Sequence, residues 1–318
     1  MKRYYKLLLW GYILPLFLYG CTNEDIENRE LKNSIYHWKT SFAPDSTELE
    51  FLRKHNIKRI YLRMFDVAEE KDELRERNIV PIATTKIKAK IPDGIEVVPV
   101  TYITIDALRA LNYENVHFYA TNIEERLLAM CSYNKCGKIK EVQIDCDWTK
   151  TTKSIYSHLC QLLKTSLNKK NIDLSITVRL HQLNEPAPPA DRGVLMLYNT
   201  GAIKNINTKN SILDINDVKP YIKKRKYSIP LDYAYPMYGW GIKFHNNTFA
   251  NIVSEDYKSI SQGESVRVER ATANEIQKVQ KLVESNLGKP YNGNILYHLD
   301  YSQLKHYTDN EINSIINY

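Results

Sequence analysis

The chain has 318 residues, 43% of them hydrophobic and 25% charged, with a formal net charge of +7. That is an ordinary globular balance with enough chain for one large core or two small ones. No basic stripe interleaved with aromatic residues appears, which argues against a nucleic-acid partner. Tyrosine is abundant at 23; a codon bias toward Asn, Lys, Ile and Tyr accounts for that excess, so single tyrosines carry little functional weight.

Lys2, Arg3 and Lys6 precede an apolar run from Leu7 to Leu18 that is too short for a comfortable membrane span. Leu18-Tyr19-Gly20-Cys21 then resembles the lipobox of bacterial lipoproteins, in which the cysteine becomes the lipidated first residue. Asn23-Glu24-Asp25 resembles the surface-export signals of Bacteroidota lipoproteins. The resemblance implies a signal peptide over residues 1–20, a lipid on Cys21 that tethers the protein to a membrane, and a polar tether over 21–33. The expected place is the cell envelope, on the outer membrane and exposed at the surface. Loss of residues 1–20 removes three basic groups and lowers the net charge to +4.

From residue 34 to 318 the pattern alternates strands and helices. Strands are expected at Ile35–Phe42, Arg59–Val67, Ile79–Thr85 and Val97–Ile103, with a short one at Asn115–Tyr119. Helices are expected after the capping box Asp45-Ser46-Thr47-Glu48, over Glu69–Arg77, after Thr104, and over Ile123–Tyr133. Strands follow at Glu141–Thr149, Leu174–Leu183, Val194–Thr200, Ile229–Tyr238 and Ile295–Tyr301. Helices are expected over Thr151–Leu167, Asp217–Lys226 and Asn274–Leu287, with a last one capped by Thr308. A proline-rich loop spans Glu185–Arg192, and residues 241–270 read as an insertion, a hairpin among the options. The basic run Lys223-Lys224-Arg225-Lys226 reads as solvating the C-terminal end of its helix, where the dipole favours cations. Cys131 and Cys136 flank a short loop and are spaced for a local disulfide, and without a histidine pair they give little evidence for a metal. Cys146 and Cys160 read as small buried hydrophobes. No cofactor or metal is expected.

Eight alternations in a single domain predict a (β/α)8 TIM barrel. An open doubly wound sheet is the alternative, but no Gly-rich phosphate loop follows an early strand. The strand at 141–149 is the most telling. Val142, Ile144, Cys146 and Trp148 share one parity and suit a layer of helices, whereas Gln143, Asp145, Asp147 and Thr149 share the other. Two carboxylates at i and i+2 would repel in a dry interior, so they need partners, solvent or a function. The polar set therefore faces the barrel interior, with Asp147 nearest the mouth. Arg179, on the polar parity of 174–183, is placed to pair with a carboxylate of that strand, Asp145 being the first candidate.

Function in such barrels sits where strands end. Those ends carry Trp38, Asp66, Asp147, Thr149, His181, Tyr198, Asn199, Tyr235, Tyr238, Trp240, His298 and Asp300. Carboxylates do acid–base work on glycosidic bonds, and aromatic faces stack against sugar rings. Ile144-Asp145-Cys146-Asp147-Trp148-Thr149 resembles the fourth-strand Asp-x-x-Asp-x-Asp-x-Glu motif of family 18 glycoside hydrolases, and Met196-Leu197-Tyr198-Asn199 resembles their sixth-strand Met-x-Tyr-Asp. The resemblance implies that Asp147 orients a substrate acetamide and that Tyr198 hydrogen-bonds it. The departures are Val142 for the first Asp, Thr149 for the general-acid Glu and Asn199 for the sixth-strand Asp. A threonine hydroxyl is far too weak an acid to protonate a leaving group. An active enzyme would draw on Asp147, Asp145, Asp66 or Asp300, with Trp38, Tyr198, Asn199, His181, Tyr235, Tyr238, Trp240 and His298 against a glycan or oligosaccharide. The rival readings are a catalytically degenerate glycan-binding barrel and a structural or adhesion lipoprotein whose polar interior is only a salt-bridge network.

Overall fold

A computed structural model describes residues 31–71, 77–224, 226–258 and 261–317. The expected signal peptide, Cys21 and residues 21–30 of the tether lie outside the described residues, as do residues 72–76 of the expected 69–77 helix.

Eight parallel strands form a closed barrel: β1 (Asn33–His37), β2 (Ile57–Lys71), β3 (Glu96–Ile103), β4 (Glu141–Cys146), β5 (Asp173–Val178), β6 (Arg192–Met196), β7 (Leu231–Pro236) and β8 (Asn294–Tyr297). β1 closes it by pairing with β2 on one side, Tyr36 opposite Tyr61, and with β8 on the other, Ile35 opposite Leu296. The outer layer is built from α1 (Ser46–Lys54), α2 (Ile105–Ala110), α3 (Val116–Tyr133), α4 (Lys153–Asn168), α5 (Ile215–Val218), α6 (Ala273–Leu287), α7 (Tyr301–Leu304) and α8 (Asp309–Ile316). The Asp45 capping box forms as expected: Asp45 accepts from the Thr47 and Glu48 amides, both at 2.9 Å. Such caps satisfy amides that the helix itself leaves unpaired.

Four expected elements differ. Glu69–Lys71 continue β2 instead of starting a helix, because Ile57–Lys71 runs past the barrel rim and pairs antiparallel with Arg77–Ile82. The strand expected at Ile79–Thr85 is thus an edge hairpin outside the barrel, and β3 takes its place beside β2. Asn115–Tyr119 belongs to a helix, whose buried residues Val116, Ala120, Ile123, Leu127 and Cys131 recur at helical spacing. The helix expected over Asp217–Lys226 stops at Val218, ahead of Pro220; proline lacks an N–H and restricts the residue before it. Cys131 and Cys136 are free thiols, both buried. The insertion is a three-stranded antiparallel sheet, Gly239–His245 between Thr248–Val253 and Glu264–Arg270.

Two apolar clusters follow from strand parity. Val142, Ile144, Cys146 and Trp148 pack in the layer between sheet and helices. Inside the barrel, Tyr36, Tyr61, Val98, Val100, Val194, Met196, Ala234 and Ile295 form a second cluster. Gln143 is fully buried beside it, accepting from the Tyr36 hydroxyl at 2.6 Å and donating to Ser175 Oγ at 3.3 Å. Where the strands begin, the interior is ionic. Glu141, 1% exposed, lies 2.9 Å from Arg192 Nη1 and 3.6 Å from Arg59 Nη1. Arg59 also meets Glu96 at 2.9 Å, and Arg192 pairs with Asp173. Asp232 is fully buried near this end and accepts from the amides of Asn292 and Gly293; burial outweighs these bonds and raises its carboxyl to about 6.

Candidate active site

The site is built from the strand ends. Asp145 and Asp147 continue the inward parity of Gln143 along β4. Asp145 is 3% exposed and accepts from Thr177 Oγ1 at 2.6 Å. Burial raises its pKa; Arg179 opposes that and Asp147 adds to it. Asp147, at the barrel mouth, keeps 43% of its side chain exposed and pairs with Arg179 Nε. Arg179 therefore binds Asp147 directly, not Asp145 as expected, although the Asp145 charge also holds the guanidinium protonated. Gln182 ties the two strand ends together: its Oε1 accepts from the Arg179 amide at 2.8 Å and its Nε2 donates to the Trp148 carbonyl at 3.0 Å.

The second carboxylate of the mouth is also matched. Asp66 is buried and takes both Nε and Nη2 of Arg63, whose guanidinium lies 5.6 Å from the Trp38 ring. Asp300 has a different role. It caps α7 by accepting from the Ser302 amide at 3.1 Å, with Lys39 at 3.5 Å. Burial works against its charge, but Ser302, Lys39 and His298 together hold its pKa below the ordinary value. Thr149 is exposed, with its hydroxyl 2.9 Å from that of Thr151.

Aromatic rings run across the mouth without a break. Trp38 lies 6.1 Å from Tyr297, Tyr297 lies 5.9 Å from Tyr238, and Tyr238 lies 5.3 Å from Trp240. Tyr198 stacks on Tyr297 at 4.5 Å, its hydroxyl turned toward the Met196 sulfur and its ring 5.8 Å from Arg179. Asn199, in a left-handed backbone that asparagine tolerates, accepts from the Tyr238 hydroxyl at 2.7 Å. The insertion fixes Trp240. Its indole N–H donates to buried Glu269 at 3.0 Å, and Glu269 also accepts from Ser211 and Arg267. Glycine precedes Trp240 because a Cβ at Gly239 would stand 2.7 Å from the Glu269 backbone carbonyl.

Three expected site residues sit elsewhere. Tyr235 is fully buried in the layer between sheet and helices, the opposite parity from the mouth. His181 is exposed on a 3-10 turn, Leu180–Asn184, because β5 ends at Val178 and strand parity stops there. His298 lies beyond the end of β8 and is half-buried; burial pushes its imidazole down to about 4. Residues that sequence reasoning passed over are Tyr102, Glu269 and above all Tyr297. Tyr102 lies on the inward parity of Val98 and Val100, and burial, with Asp147 and Asp145 nearby, lifts its hydroxyl to about 12. Tyr297 was hidden by a one-element error: the last strand stops at 297, not 301.

Arg179→Met is expected to cost about 2–3 kcal/mol at neutral pH, below the ~3–5 kcal/mol of a fully buried pair because Asp147 reaches water. The carboxyl of Asp145, already raised, would rise further without its cation. A folded pKa above the unfolded one means that the folded state holds the proton more tightly. The deficit should therefore be largest above that pKa and shrink as pH falls through it. Urea unfolding across pH 4–8 measures this; a deficit that grows toward acid pH would refute the assignment.

No family model matches the sequence, and neither does any curated protein sequence. Solved structures do match. The chitinase of Chromobacterium violaceum superposes with a TM-score of 0.56 at 13% identity, over 90% of this chain and 98% of that one. The spore cortex-lytic enzyme SleL of Bacillus cereus gives 0.52 at 15%, over 90% and 74%. The family 18 chitinase ChiB from the chitin utilization locus of Flavobacterium johnsoniae gives 0.50 at 13%, over 90% and 95%. The fold is therefore a (β/α)8 barrel, the architecture expected from the sequence and shared with these glycoside hydrolases.

Proposed function

We propose that this chain is a glycan-binding barrel that does not cleave its ligand by the substrate-assisted route, held at the bacterial surface by a lipid on Cys21. One arrangement carries the reading: an aromatic row beside Asp147 and Asp66, each paired with an arginine, with threonine at the acid position. The partly exposed rings of Trp38, Tyr297 and Trp240 give a sugar chain faces to stack on, with Tyr198 and Tyr238 buried against them, and paired carboxylates can accept hydroxyl hydrogen bonds without a large desolvation cost. Asp147 and Asp66 are each engaged in an ion pair, with Arg179 and Arg63. The resemblance of the fold to chitinases and a cortex-lytic enzyme points to N-acetylated sugars as the ligand class.

A glycan array followed by product analysis tests this. Binding of chitin-type or cortex-type oligosaccharides without release of shorter products is the expected result; robust chitinase activity in the unmodified protein would overturn it. Thr149→Glu adds the missing acid at an exposed position that has room for it. General acids contribute roughly 10²–10⁴-fold, but Asp147 stays engaged with Arg179, so weak cleavage at most is expected, abolished again by Asp147→Asn.

A further inference from the structure

We infer that the face at which the strands begin docks on a bilayer rich in anionic phospholipid. Barrel topology gathers on this face the connections that lead into each strand, and several of them are rich in lysine. Lys138 and Lys140 precede β4, Lys169 precedes β5, Lys223 and Lys224 precede β7, and Lys289 precedes β8; all six are exposed. The acids nearby are already matched. Asp173 pairs with Arg192, Asp93 with Lys90 at 2.7 Å, and Glu96 with Arg59 and Lys32, Lys140 lying 3.8 Å away. The surplus is positive.

The ordinary reason for lysines here is the helix dipole, which favours cations in a helix's last turn. That reason covers Lys169, which is the C-cap of α4, but not the others. The last turns of α3 and α6 contain no basic residue. Lys223 and Lys224 lie beyond Pro220, after α5 has ended at Val218. The other five stand in loops on the same face, where an extended anionic surface meets them together with Lys169. A soluble nucleic acid fits less well, because the loops offer no aromatic rings interleaved with the charges. The chain also enters the barrel on this side: the Lys32 amide donates to the Asn292 carbonyl at 2.7 Å and β1 begins at Asn33.

A lysine close to an anionic surface is worth about fivefold in partitioning, an effect that fades within about 8 Å at physiological salt. The experiment holds the full-length protein on vesicles of phosphatidylcholine alone or of phosphatidylcholine mixed with phosphatidylglycerol, and follows amide exchange and co-sedimentation. Anionic vesicles should slow exchange in the 134–140, 169–172, 219–224 and 288–292 loops, leave the 147–152 loop at the mouth unchanged, and bind at least tenfold more protein. High salt should erase both effects. The variant K138E/K169E/K223E/K224E should lose the anionic preference while keeping its melting temperature. Equal exchange on both vesicles, protection centred on the mouth, a quadruple variant that keeps the preference, or equally tight binding to a soluble polyanion would each overturn the inference.

Discussion

Glu141→Ala is expected to lower stability by about 3–5 kcal/mol, the range seen when one partner is taken from a buried ion pair. Glu141 is 1% exposed and stands between two guanidiniums, Arg192 at 2.9 Å and Arg59 at 3.6 Å. Without it those two cations face each other inside the barrel. Their remaining acids lie toward the rim, where Asp173 is half-exposed and Glu96 already serves Lys32. Removal of all three charges together, as Arg59→Met, Glu141→Leu and Arg192→Met, should recover most of the loss, because a well-packed apolar replacement of a buried ion triad is often neutral or better. Urea denaturation of the single and triple variants checks both halves. A single-variant loss under about 1 kcal/mol would mean that water reaches the network and screens it as at a surface.

Trp38→Ala and Trp240→Ala should each weaken glycan binding about tenfold, and the double variant about a hundredfold, at roughly 1–2 kcal/mol per large aromatic anchor. The two residues end the aromatic row and do not touch, so their losses should add. Trp240 offers a finer test, since its indole N–H is held by Glu269. Glu269→Gln keeps the shape of the side chain and can still accept through its carbonyl, so it should lower affinity less than Trp240→Ala does. Calorimetric titration with the best array ligand reads the affinities, and the melting temperatures show whether the barrel is intact. Unchanged affinity in the double variant, with folding preserved, would remove the aromatic row from the site and leave the polar interior as a structural network.

The barrel was legible because its strands are short apolar runs of fixed parity separated by amphipathic helices. The parity of the central strand was read correctly, although the strand ends at Cys146 and not at Thr149: Val142, Ile144 and Cys146 face the helices while Gln143 and Asp145 face inward. What escaped were places where local pattern and tertiary context disagree. Glu69, Glu70 and Lys71 look like a charged helix, yet they prolong a strand whose paired edge stands outside the barrel; beyond the rim, apolar alternation no longer applies. Val116, Phe118 and Tyr119 favour a strand by composition, and only the longer recurrence through Cys131 reveals the helix. At the site, Asp147 and Tyr198 were readable from the motifs. Arginine partners were less so: Arg63 and Asp66 are close in sequence, but which carboxylate Arg179 selects depends on the bend after β5, which sequence pattern does not encode.

The filled interior beneath the mouth has its own consequence. Tyr36, Tyr61, Gln143 and Met196 close off the barrel below the aromatic row. A polymer cannot be threaded tip-first through such a barrel; it has to be laid sideways along the rim. If the proposed glycan reading holds, stretches of chain are then the expected ligand and termini are not required. A suspension of long, uncut strands should capture as much of the protein per gram as the same material chopped into fragments.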